Sequence, residues 1–149
     1  MLLKENIYNS YARLLQEKIQ QQEDVLRELS ASAANETKST AGDKHETALA
    51  MLQIEQENKR RQLSDLMDQQ KMLLRIDPSK RAEMIMNGSL VETDKGYFYL
   101  SVALGKLLFE NKTFYALSPT SPLGQKLIGC APGARVEMNG TFYNIISIA

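Results

Sequence analysis

The chain has 149 residues, 18 basic and 18 acidic side chains and 43% hydrophobic content, which suits one or two small domains and excludes a large multidomain enzyme. No run long and apolar enough to span a bilayer occurs, and Met1-Leu2-Leu3-Lys4-Glu5-Asn6 turns polar too soon for a signal-peptide core, so a cytoplasmic protein without a membrane span is expected. A single cysteine, Cys130, and a single histidine, His45, form neither a disulfide nor a zinc cluster, and zero net charge argues against autonomous nucleic-acid binding.

Composition shifts at Asp77-Pro78. All four prolines and seven of the eight glycines lie beyond residue 77, whereas nine of the ten glutamines lie before it. Residues 1–77 carry 11 basic and 13 acidic groups and only Tyr8 and Tyr11 as aromatics; residues 78–149 hold the other eight aromatics. The first part reads as helix and the second as β-rich, an α+β chain of two domains, 1–77 and 78–149.

In the first part, Tyr8, Tyr11, Leu15, Lys18, Gln22, Val25, Leu29 and Ser32 advance by steps of three and four, the a/d spacing of a coiled-coil seam. Leu49, Leu52, Gln56, Lys59, Leu63, Leu66, Gln70 and Leu73 repeat it. Between the seams, Ser30 to Asp43 is small and polar and contains Gly42, so the chain is expected to fold back into an antiparallel hairpin with its tip near 36–46. Facing layers then have residue numbers of constant sum, here 81, which pairs Val25 with Gln56 and Tyr11 with Gln70. Because one chain satisfies both seams, a monomer is expected.

Beyond Pro78, alternating stretches at 89–93, 97–103, 106–109, 113–117, 134–138 and 141–148 predict strands. Asp94-Lys95-Gly96 and Asn139-Gly140 are the best hairpin turns. Ser121-Pro122 supplies an N-cap and a first-turn proline for a short helix through Gln125, Lys126, Leu127 and Ile128, stopping at Gly129. Met84, Ile85 and Met86 are expected to pack this small domain against the helices.

The chemistry is sparse. A Cys130–His45 nucleophilic pair would have to bridge the two domains, and the glycines are too scattered for a phosphate loop. The tip holds Gly42-Asp43-Lys44-His45-Glu46-Thr47-Ala48. Two carboxylates three residues apart can share a hydrated Mg²⁺ with further ligands from a partner, although Asp-x-x-Glu before an amphipathic helix is also a capping arrangement. Lys59-Arg60-Arg61 reads either as a solvated helix face or as a contact for phosphates.

Two stretches resemble the bacterial transcript cleavage factors GreA and GreB. The tip residues 42–48 are similar to that family's Gly-Asp-Leu-Ser-Glu-Asn-Ala, with Lys44-His45 in place of Leu-Ser and Thr47 in place of Asn. Ser121-Pro122-Leu123-Gly124-Gln125-Lys126-Leu127-Ile128-Gly129 is similar to its Ser-Pro-(Leu/Ile)-(Ala/Gly)-x-x-Leu-(Ile/Leu)-Gly. The resemblance implies a coiled-coil hairpin joined to an FKBP-like domain that docks on RNA polymerase, with Ser121, Pro122 and Leu123 at the contact.

It further implies that Asp43 and Glu46 help hold a polymerase Mg²⁺ for hydrolysis of backtracked RNA, so that the chain is not an enzyme on its own. Lys59, Arg60 and Arg61 would contact the nascent RNA or the channel walls. The altered tip leaves a non-cleaving secondary-channel regulator as the alternative. A prolyl isomerase, for which no tryptophan is present to floor the pocket, and a plain coiled-coil adaptor are the remaining readings.

Overall fold

The computed structural model describes residues 2–37 and 42–149; the side chains of 36–45 lie outside that description. Helices α1 (Leu2–Thr37) and α2 (Gly42–Leu74) come first, then strands β1 (Leu90–Thr93), β2 (Gly96–Leu100), β3 (Gly105–Phe109) and β4 (Lys112–Leu117). Helix α3 (Pro122–Leu127) precedes β5 (Arg135–Met138) and β6 (Thr141–Ile148). The chain is α+β, with all six expected strands and the short helix present. It forms two compact units, Arg13–Gln70 and Met1–Ala12 with Lys71–Ala149, so each long helix contributes to both.

In the first of these units, the helices pair through side chains whose numbers share a sum of 86. Gln56 Nε2 donates to Ser30 Oγ at 3.2 Å and Gln70 Nε2 donates to Gln16 Oε1 at 3.0 Å. The expected register, in which Gln56 faces Val25, is therefore wrong by five residues. The seam of α1 also differs. Within this unit Leu15 and Ile19 are buried, while Lys18 is exposed. An apolar isoleucine gains from burial what a lysine ammonium would lose, so Ile19 lies inside and Lys18 stays in water.

The second unit is a six-stranded mixed sheet of order β3-β4-β2-β1-β6-β5. Neighbours are antiparallel except β2 and β4, which run parallel and pair Phe98 with Tyr115. Strand alternation, with a register shift between β1 and β6 that brings both Ile145 and Ile148 to one side, sends Val91, Phe98, Leu100, Val136, Ile145 and Ile148 to one face, where they bury against Leu127 of α3 and against Ile85. On the other face Tyr11, from the first third of α1, stacks on Tyr99, and its hydroxyl donates to the Gly105 carbonyl at 2.8 Å.

Ile85 belongs to the sheet core and exchanges backbone bonds with the end of α3, donating to Cys130 O and accepting from Gly129 N, both at 2.8 Å. Met84 and Met86 are exposed, contrary to expectation. Extended chain alternates its side chains, so the two methionines flanking a buried Ile85 point away from its core. The helix-facing contact comes instead from Tyr11 and from Lys4, whose ammonium donates to the Lys80 carbonyl.

Asn139 and Gly140 both take positive φ, 52° and 80°, in the two-residue hairpin expected there. Glu110 and Asn111 do the same, at 49° and 62°, between β3 and β4. That turn carries no glycine and is invisible to a search for Asn-Gly or Asp-Gly.

Candidate functional site

The acidic stretch falls at the start of α2. Helix α2 opens at Gly42, so positions 43 and 46, three residues apart, are the second and fifth residues of the helix, near its positive end. Asp43 thus has a helical position and is not the N-cap that a capping box would make it. Its side chain, with those of Lys44 and His45, lies outside the described residues. The Glu46 side chain is exposed. Among the described residues no cluster of three or more His, Cys, Asp or Glu is arranged to hold a metal.

Lys59, Arg60 and Arg61 do not act as one patch. Lys59 is half-buried and its ammonium lies 3.5 Å from Gln62 Oε1, while Arg61 pairs with Glu57 at 3.8 Å, one turn back. Arg60 turns toward α1 and lines a groove with Arg27, Ser30 and Glu23. Consecutive residues on a helix diverge by 100°, so a run of three cations cannot share one face. Arg27 is the basic residue that sequence reasoning missed; only the hairpin's register brings it beside Arg60.

The Ser121 helix is built as its sequence prescribes. Ser121 Oγ accepts the Gly124 N–H at 3.1 Å and donates to the Ser118 carbonyl at 2.6 Å, Pro122 occupies the first turn, and Gly129 follows the helix with φ 85°. Gly124 is fixed by space: a Cβ there would lie 2.1 Å from the Ser118 oxygen. Pro122 is exposed, Ser121 is half-buried and Leu123 is half-buried against the sheet core. Cys130, just beyond, is half-buried and its thiol donates to the Lys126 carbonyl at 3.3 Å.

A two-helix hairpin with two acidic residues near the start of its second helix, followed by a six-stranded mixed sheet with one capped helix, defines the architecture. Among solved structures, the GreA factor homolog 1 (Gfh1) protein of Thermus thermophilus is similar at 16% identity, with 93% of this chain and 94% of that one covered and a TM-score of 0.37. A second structure of the transcription factor Gfh1 is similar at 18% identity, with 92% of each chain covered and a TM-score of 0.33. No family model and no curated protein matches. No helix is long and apolar enough to cross a membrane among the described residues.

Proposed function

We propose that this chain is a Gre-like transcription factor of the cytoplasm that binds RNA polymerase through its secondary channel and presents Asp43 and Glu46 to the polymerase catalytic centre, promoting cleavage of backtracked RNA. The observation that carries this reading is the position of the two acids within the first five residues of α2, at one end of the second helix of the hairpin. The capped Ser121 helix supports it, because Gly124 and Ser121 have structural reasons to be where the family motif has them.

Mg²⁺ is the metal this reading implies. The donor chemistry suits it, since carboxylate oxygens are its preferred ligands, but two of them leave most of an octahedral shell to water and to the polymerase. When bound, the ion lowers the pKa of a coordinated water and takes up charge on the phosphoryl oxygens. The chain's own part is delivery. The helical backbone fixes the spacing of positions 43 and 46. Ser121, Pro122 and Leu123 provide the polymerase contact, and Lys59, Arg60 and Arg61, on different sides of α2, meet RNA phosphates or channel acids separately. The chain contributes groups to another enzyme's site and is not an enzyme alone.

Stalled, backtracked polymerase complexes incubated with the purified chain test this. Release of short 3′ RNA fragments is expected, with Asp43→Asn/Glu46→Gln abolishing release and leaving polymerase binding intact; release that survives the double change would sink the mechanism. A non-cleaving channel regulator is the second reading, favoured by Lys44-His45, which sets basic groups between the acids where the family motif has Leu-Ser. Binding without fragments from the unaltered chain would select it.

A further inference from the structure

The segment between α2 and β1 forms a cleft of about 400 Å³ that the proposed function does not use. Its walls carry Arg75, Lys80 and Arg81, the carboxylate of Asp77, and the apolar side chains of Ile76 and Met86. None of the three cations makes a salt bridge among the described residues. Asp77 is already engaged, accepting the Ser79 N–H at 2.9 Å and the Ser79 hydroxyl.

A fourth cation adjoins the cleft. Lys4 is only 1% exposed, and its ammonium donates to the carbonyl of Lys80, one of the lining residues. Desolvation, with Arg81 adding to it, pulls the Lys4 pKa below the ordinary lysine value, while Asp77 and Glu5 act in the other direction. A buried ammonium answered by a carbonyl, beside three unpaired cations, leaves the cleft with an excess of positive charge. Such a field draws in an anion.

We infer that this cleft binds a phosphate-bearing small molecule of about nucleotide size. Two planar guanidinium forks and a mobile ammonium match phosphate oxygens, to which arginine donates in pairs. The volume falls within the roughly 300–1,000 Å³ typical of small-ligand sites. The exposed Met86, backed by the buried Ile76, provides an apolar wall on which a base can lie. Inorganic polyphosphate and nucleotides share this chemistry, and the apolar wall separates them: it adds affinity only to a ligand with a base.

Calorimetric titration of the full chain with pyrophosphate, with adenosine triphosphate and with adenosine tests the site. Both polyphosphates are expected to bind, the nucleotide more tightly, and adenosine to give no heat. Lys80→Gln/Arg81→Gln, both at exposed positions, is expected to weaken both by at least about tenfold while leaving the far-UV spectrum unchanged, and amide shifts on binding should cluster in residues 75–89. Absence of binding at millimolar pyrophosphate, undiminished affinity in the double variant, or shifts confined to residues 59–61 would overturn the inference. Its failure leaves the transcript-cleavage reading untouched, because the tip acids take no part in it.

Discussion

Tyr11 stacks on Tyr99 with ring centroids 6.2 Å apart and planes 19° from parallel, yet only one of the two hydroxyls is satisfied. Tyr11 donates to Gly105 O at 2.8 Å, whereas the buried Tyr99 hydroxyl has no partner. Burial raises both phenols, Tyr11 to about 12. Tyr11→Phe is therefore expected to cost about 1 kcal/mol, the net worth of a buried hydrogen bond, while Tyr99→Phe is neutral or stabilising because it removes an orphaned polar group. Urea unfolding of the two variants reads the contrast, and equal losses would contradict the assignment.

The hairpin register is open to chemical test. In a Cys130→Ser background, Ser30→Cys with Gln56→Cys places two thiols at a facing pair, and a short bismaleimide is expected to link them within one chain. Val25→Cys with Gln56→Cys, five residues out of register or roughly 7 Å along the helix, should link poorly. Proteolytic fragments on a denaturing gel distinguish the two.

Gly124→Ala is expected to be among the most damaging single-methyl additions in the chain. The new carbon would sit 2.1 Å from the Ser118 oxygen and 2.8 Å from Ser121 Oγ. Backbone must move to admit it, at about 3 kcal/mol. Ser121→Ala, which removes the cap alone, should cost only about 1 kcal/mol. Thermal unfolding orders the two.

The β3–β4 turn offers a gain. Glu110 and Asn111 both hold left-handed backbone conformations, which asparagine tolerates and glutamate does not favour. Replacing them by Asn and Gly, the preferred pair for a two-residue hairpin, should stabilise the fold by about 1 kcal/mol. An unchanged or lower unfolding midpoint would argue against that turn.

Acid sensitivity has a local source at Asp94. Its carboxylate accepts the Asn144 backbone N–H and side-chain amide, each at 2.8 Å, and these bonds hold its pKa below 3.8. As pH falls, the unfolded chain takes the proton first. The contribution is complete above pH 3.8 and is lost as pH drops through the lower folded value. Asp94→Asn is expected to flatten the decline in stability below about pH 4, measured by urea midpoints; Asp77, shifted the same way by Ser79, supplies part of the remaining slope.

Of the candidate site, residue types and spacing were legible in sequence: Asp43 and Glu46 three apart, and Ser121-Pro122 as the start of a capped helix. The cap forms because its bonds close within four residues. What escaped was whatever depends on a neighbour distant in the chain. Lys59, Arg60 and Arg61 look alike in sequence, but α1 draws Arg60 into a groove with Arg27 while Arg61 turns to Glu57. The Arg75–Arg81 cleft was equally hidden, since its cations are ordinary surface residues until the chain between α2 and β1 wraps them around one space.

Sequence alone determined the two long helices, the six strands and the turn at Asn139-Gly140, because alternation, helical spacing and turn conformation are set by residues a few positions apart. Tertiary structure decided the register of the helical hairpin, the parallel pairing of β2 with β4 and the burial of Ile19 in place of Lys18. Glutamines in the hairpin can hydrogen-bond in more than one register, so their pattern does not choose between sums of 81 and 86. That choice belongs to side-chain packing between helices, where burying Ile19 and leaving Lys18 in water lowers the free energy most.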